Sequence, residues 1–310
     1  MKVIRPLLAA ALVFIVCAAP VRPSAAAGEA KSRIVALFSA PSPVYDDALR
    51  GFRQVLADSG RPARVDTVVL GEDQAAMKKL LQQADLIFAL GGRATRAAIE
   101  TGAGLPVVAA MVMKKDDLRG SGDHVTGVFL QHPLDVQFRH IRAITPGAKR
   151  VAVMYSPEDN RALIDRAAAK ATAAGFTLVP YKVRSPGEIP GALESISRSA
   201  DVLWGVPDKI VLNPSTAREV LLFSFRNRIP FIGLSPTWVK SGALFSLGWD
   251  YHDIGAQCAS MAAAVLGGRQ ARSIPPQAPR KVLYSVNRKT AERMKLDLPE
   301  SLLKDASQIY

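Results

Sequence analysis

The chain has 310 residues, 49% of them apolar, and carries 40 Lys and Arg against 27 Asp and Glu, for a net charge of +13. That apolar content is enough for sizeable cores and excludes a disordered chain. The charge points to anionic surfaces or ligands, yet it is scattered along helical faces without a long basic block, which reads as a solvated surface and not a nucleic-acid footprint.

Residues 1–27 read as a secretory signal peptide. Lys2 and Arg5 precede an apolar run from Leu7 to Cys17 that is too short to span a bilayer, and Ala25 and Ala27 are the small residues a signal peptidase reads, so cleavage is expected after Ala27. Cys17 follows the bulky Val16, where acylation wants a small residue, which argues against a lipid anchor. Losing the leader removes three basic residues, Lys2, Arg5 and Arg22, and no acid, taking the charge from +13 to +10. The mature chain then keeps Cys258 alone and has no internal disulfide; Cys258 shares a helix face with Ile254, Met261 and Val265 and is expected to be a buried thiol. The expected destination is the periplasm, which also argues against a nucleic-acid partner.

Past the leader, short β-rich runs alternate with amphipathic ones. Ile34 to Phe38, Val65 to Leu70, Asp85 to Leu90 and Val107 to Ala110 read as strands, with helices at Val44 to Ser59, Asp73 to Gln83 and Arg93 to Thr101. The extended run Val125 to Phe138 follows. The cadence then restarts with strands at Arg150 to Tyr155, Leu178 to Val183, Asp201 to Val206 and Phe231 to Leu234, and helices near Pro157 to Ala174, Pro186 to Ser197 and Pro214 to Arg228. Two such series predict an α/β protein of two doubly wound parallel-sheet lobes, helices on both faces. A further extended run at Ala243 to Leu247 leads into a helix from Asp253 to Leu266, and a third run spans Arg280 to Asn287. These runs are expected to cross between lobes: the first lobe takes 28–130 and 249–310, the second 131–248, and the lobe completed by 280–310 stays open. Crossings of this kind enclose a cleft that closes by hinge bending.

Four Ser-Pro pairs, at Ser42, Ser156, Ser185 and Ser235, follow apolar strands as candidate N-caps with Pro at the first helical position. Such turns lie at the carboxyl ends of parallel strands, where open α/β sheets bind ligands and helix N-termini offer free N–H groups. The motifs for nucleotide binding, serine hydrolysis, zinc proteolysis and thiol redox chemistry are all missing, so neither catalysis nor a cofactor is expected. None of His124, His132, His140 and His252 stands at metal-ligand spacing from another, and each is expected to be a lone surface residue.

In order along the chain, "YDDALRGFRQVLADSG", "LPVVAAMV", "VTGV", "RVAVMYSPEDNRALI", "EIPGALESI", "ADVLWGVPD", "RIPFIGLSPTWVKSGALFSLGWDYHDIGAQ" and "YSVNRKTAERMKL" resemble ABC-transporter substrate-binding proteins, in the branch that includes tryptophan- and tyrosine-binding members. The resemblance covers about Ile34 to Ala306. It implies the type I periplasmic-binding-protein fold, with crossover strands joining the lobes, and delivery of a small solute to a membrane permease. Carried over by position, it marks Ser156, Glu158 and Asn160 as cleft residues, Ser156 and nearby helix N–H groups being suited to a carboxylate. It marks Asp208 to meet an ammonium, Asp250 and Tyr251 where the chain re-enters the first lobe, and Ser39, Tyr45, Arg93, Thr95 and Met111 in the first-lobe loops. Ser235 opens a one-turn helix that presents Trp238, and Tyr45 and Trp238 offer rings to stack on a flat side chain. Departures exist: Asp159 and Arg161 flank Asn160 where relatives read E-x-N-S, Met113-Lys114 replaces Asp-Pro, and Arg93 and Arg96 enter a loop that is usually neutral. These departures together tilt the expected solute slightly towards a more acidic one.

The resulting expectation is a monomeric periplasmic solute-binding subunit of an ABC importer, taking a small solute between its lobes, an amino acid, with aromatic ones among the candidates, or a related carboxylate, and docking on an inner-membrane permease. A solute-sensing receptor that signals to a membrane partner is the alternative, and an exported α/β enzyme a third.

Overall fold

A computed structural model describes residues 32–60, 63–102, 104–113, 118, 124–213 and 215–310. The expected signal peptide lies outside the described residues. The first lobe runs β1 (Ser32–Phe38), α1 (Pro43–Asp58), β2 (Ala63–Val69), α2 (Gln74–Leu81), β3 (Leu86–Leu90), α3 (Gly92–Thr101), β4 (Val107–Val112) and β5 (Val125–Phe129). Its sheet has the order β2-β1-β3-β4-β5, with every pairing parallel. Parallel strands joined by crossover helices are covered on both faces, which explains runs as uniformly apolar as "LIFAL" and "VVAAMV", buried at each position. Side chains alternate between the two sides. Ile34, Ala36 and Phe38 face one core with Phe52 of α1, while Val35 and Leu37 face the other with Ala94 and Ala98 of α3.

The second lobe follows as α4 (Leu134–Ile144), β6 (Arg150–Tyr155), α5 (Pro157–Ala173), β7 (Thr177–Lys182), α6 (Ile189–Ser199), β8 (Val202–Trp204), α7 (Ala217–Asn227), β9 (Phe231–Ile232) and α8 (Pro236–Lys240). The run read as a crossover is a full member of this sheet, β10 (Phe245–Trp249), parallel to β9. The chain then enters the first lobe as α9 (Tyr251–Leu266), which buries Ile254, Cys258 and Met261 in the same core as α1, so Cys258 is the buried thiol expected. Close approach requires glycine here: a Cβ on Gly51 would strike the His252 carbonyl oxygen, and one on Gly255 the Ala48 carbonyl oxygen.

The segment after Pro279, whose lobe the sequence left open, completes the second sheet. β11 (Val282–Val286) pairs antiparallel with β10, and after α10 (Arg288–Met294) and α11 (Glu300–Lys304) the chain ends in β12 (Gln308–Ile309), parallel to β11. The sheet order is β12-β11-β10-β9-β8-β6-β7. The chain passes between lobes at 130–133, at 249–250 and at 279–281. Ion pairs tie the last two passages: the Arg280 guanidinium donates to both carboxylate oxygens of buried Asp253 at 2.8 to 3.1 Å, and Lys281 Nζ lies 3.4 Å from Asp250 Oδ2.

Candidate functional site

At the carboxyl edge of the first sheet the structure gathers Ser39, Tyr45, Gly91 and Thr95. Ser39 Oγ accepts from the Ala94 N–H at 2.9 Å, and Thr95 Oγ1 donates to the Gly91 carbonyl at 3.0 Å. Gly91 adopts φ 88°, and a Cβ there would strike both the Tyr45 hydroxyl and Ser39 Oγ, so only glycine lets these loops meet. Tyr251 begins α9 beside Tyr45; burial, then the neighbouring Tyr45, raises its pKa. Met111 is buried at φ 59°, where the β4–β5 register shifts between Ala110 and Val112. A non-glycine residue held at positive φ stores strain of a kind common at binding sites. Arg93 and Arg96 are exposed on α3.

The second lobe holds its matching loops with a carboxylate. Asp208, 7% exposed, accepts four N–H groups: Ser156 N (2.7 Å) and Asn160 Nδ2 (2.9 Å) at Oδ2, Ile210 N (2.9 Å) and Val211 N (3.0 Å) at Oδ1. Asn160 Nδ2 also donates to the Pro207 carbonyl at 2.9 Å. Ser156 Oγ caps α5 by accepting from Asp159 N at 3.3 Å. Ser42, Ser185 and Ser235 make no such cap bond, so of the four expected capping serines Ser156 alone caps with its side chain, and at the others proline makes the helix entry. Glu158 is exposed in the first turn of α5 and makes no ion pair among the described residues. Asp250 caps α9 by accepting from Asp253 N at 2.8 Å. Trp238 packs edge-on against Phe231 at 5.6 Å, and Gly233 leaves room for its Cβ. That packs Trp238, half-buried, against the second-lobe core and outside the lining of the pocket described next.

Between these clusters, beside the passages at 130–133 and 249–250, lies a pocket of about 170 Å³. Its walls include Met113 from the end of β4, Gln131 and His132, Gln137 of α4, Asn160 of α5, Trp204 of β8, and Phe245 and Trp249 of β10. Of the residues nominated from sequence, Asn160 alone lines it. Among the lining residues His132 is the one ionisable side chain, and burial, helped by the neighbouring His140, lowers its pKa to about 4. The described lining is therefore uncharged at neutral pH. This histidine corrects the expectation of a surface residue: it is 7% exposed, and its ring stacks on Trp249 with centroids 3.6 Å apart and planes 7° from parallel. Trp204, His132 and Trp249 were missed as site residues; the signal available was that His132 falls in one crossing run and Trp249 in the next. Among the described residues no group of three or more His, Cys, Asp or Glu stands ready to hold a metal ion, and no helix is long and apolar enough to cross a membrane.

A family model described as "ABC transporter substrate binding protein" matches residues 41–310. A curated relative from Clostridioides difficile, the "Tyrosine-binding protein", is 25% identical over 250 residues, 75% of this chain and 72% of its own. A solved ABC domain in complex with L-Trp from Streptococcus pneumonia is 26% identical with a TM-score of 0.59, covering 91% of this chain and all of its own. The ligand-free, open structure of a substrate-binding protein with adhesive properties from Clostridium difficile superposes with a TM-score of 0.74 at 21% identity, covering 89% of this chain and 98% of its own.

Proposed function

The chain belongs to the ABC transporter substrate-binding protein family, and from that premise we propose that it is the exported, monomeric solute receptor of an ABC importer. It takes an amino acid into the inter-lobe cleft and yields it to an inner-membrane permease, without chemistry of its own. The observation that carries the reading is the pocket. Trp204, Phe245 and Trp249 wall a space that suits a ring, and among the described residues no ionised group lines it to receive a charged side chain. The ligands named for two relatives, at 25% and 26% identity, are tyrosine and tryptophan, and both fit that chemistry. The more acidic solute that the sequence departures suggested fits it poorly.

The ligand's own charges stay outside the pocket, at groups the protein does not already use. Arg93 and the opening turn of α3 receive the carboxylate, aided by the positive end of the helix dipole. Glu158 receives the ammonium, and the Tyr45 hydroxyl, which has no hydrogen-bond partner among the described residues, adds a contact. Asp208, with four N–H donors already on its oxygens, braces Ser156 and Asn160 instead of meeting the solute.

A binding ligand must raise the melting temperature by linkage. L-Tryptophan or L-tyrosine should do so at neutral pH and L-glutamate should not. No rise with any standard amino acid would sink the reading.

A further inference from the structure

The pocket's most unusual group is His132. It sits where the chain first leaves the first lobe, and Trp249, which it covers face to face, ends β10 just before the chain returns. The stack therefore joins the two passages. The same residue fastens a second wall through its backbone: the His132 carbonyl accepts from Gln137 Nε2 at 2.8 Å, and Gln137 Oε1 accepts from Trp204 Nε1 at 3.2 Å. Both passages and β8 are thus tied to one residue.

Among the described residues neither ring nitrogen of His132 has a hydrogen-bond partner; the Gly248 backbone favours the protonated ring, by less than burial disfavours it. Buried polar nitrogens without partners are costly, and phenylalanine would give the same stack without them. What histidine adds is the capacity to take a proton. We infer that His132 is a positioning residue: its neutral ring, stacked on Trp249, holds the two passages in register and so sets the pocket wall that the ligand meets.

The surroundings agree with that dependence. Of the elements packed round the ring, α4 contributes one titratable neighbour, His140, which opposes protonation. The pocket residues from the ends of β4, β8, β9 and β10 and from α5 carry no ionisable side chain. Burial supplies most of the lowering to about 4, so separating the passages, which admits water to the ring, returns it towards its ordinary value. Acid then favours the separated arrangement and weakens the pocket, as linkage requires.

This inference rests on the amino-acid reading only for its ligand arm. In the full chain labelled at histidine, NMR should show the His132 ring titrating below about pH 5 without ligand; a midpoint near the ordinary value of about 6.5 overturns the inference. Affinity for L-tryptophan or L-tyrosine, whose own charged groups do not titrate in the window, should stay within about twofold of its neutral-pH value down to the midpoint of that titration and fall about tenfold one pH unit below it. His132→Phe should lose that pH dependence, whatever its affinity at neutral pH, while His132→Ala should bind weakly at every pH. A His132→Phe variant that keeps the pH dependence overturns the inference, because His124, His140 or His252 then carries it. If neither amino acid binds, the ligand reading fails, and the ring titration with the melting-against-pH profile of His132→Phe decides the role of His132.

Discussion

At the carboxyl end of β6 the second lobe fixes its loops with the Asp208 carboxylate, whereas at the carboxyl end of β1 the first lobe uses two hydroxyls and a glycine. Each edge follows the strand that opens the parallel series of its sheet. The difference lies in which polar groups remain free. On the second lobe the conspicuous acid is fully engaged, and a free acid is Glu158, in the first turn of α5. On the first lobe Ser39 and Thr95 are engaged, and Tyr45 and Arg93 are not. A polar residue at a strand's carboxyl end is thus as often a brace for the loop as a contact for a ligand, and counting its partners separates the two roles.

The largest effect that could break this comparison is expected at Asp208. Asp208→Ala leaves four N–H groups without their acceptor, and hydrogen bonds to a charged group are individually strong, so urea unfolding should show a loss of roughly 3–5 kcal/mol. A loss below about 1 kcal/mol with binding abolished would instead make Asp208 the ligand's partner. The next effect concerns His132. Its folded pKa of about 4 lies below the unfolded value of 6.5, so between them the unfolded chain binds more protons. Stability is therefore greatest above 6.5 and falls as pH drops towards 4, by up to roughly 3 kcal/mol. His132→Phe should remove that part of the slope in melting measured against pH. Smaller again is Gly91→Ala, expected to cost roughly 1–3 kcal/mol because φ 88° disfavours a side chain and the new Cβ displaces Tyr45. An unchanged melting temperature would show that the first-lobe edge is loosely held.

The sheets were legible because their signal is local. Parallel strands buried on both faces give runs such as "LIFAL" whatever follows them, and the helices between them carry their own periodicity. The fate of the last segment was not legible: β11 pairs with β10 over a separation that no local pattern encodes, and only the tertiary ladder puts it in the second sheet. For the site, position along the chain located the loops that hold Ser39, Thr95, Ser156 and Asn160 and left their partners unknown. Asp208 looked like a free acid because its donors are backbone N–H groups and an amide from distant segments. Trp238 looked like a cleft wall because its turn follows a strand, whereas Gly233 opens a space that draws it against Phe231. His132 lacked any motif, and its role arises from a stack between two residues far apart in sequence.

The smallest expected effect tests the free groups. If Glu158 meets the ammonium from an exposed position, solvent screens the pair, and Glu158→Gln should weaken amino-acid binding by only about two- to fivefold. Because Glu158 braces nothing, melting without ligand should stay unchanged, the opposite of Asp208→Ala. Raising the salt should shrink the difference between wild type and Glu158→Gln, since a screened surface attraction falls with ionic strength while the pocket's apolar contribution does not. Isothermal titration at low and high salt reads both quantities. An affinity that does not change on Glu158→Gln would move the ammonium contact off α5 and leave Tyr45 and Tyr251, on the first-lobe side, as the polar groups nearest the ligand's charged end.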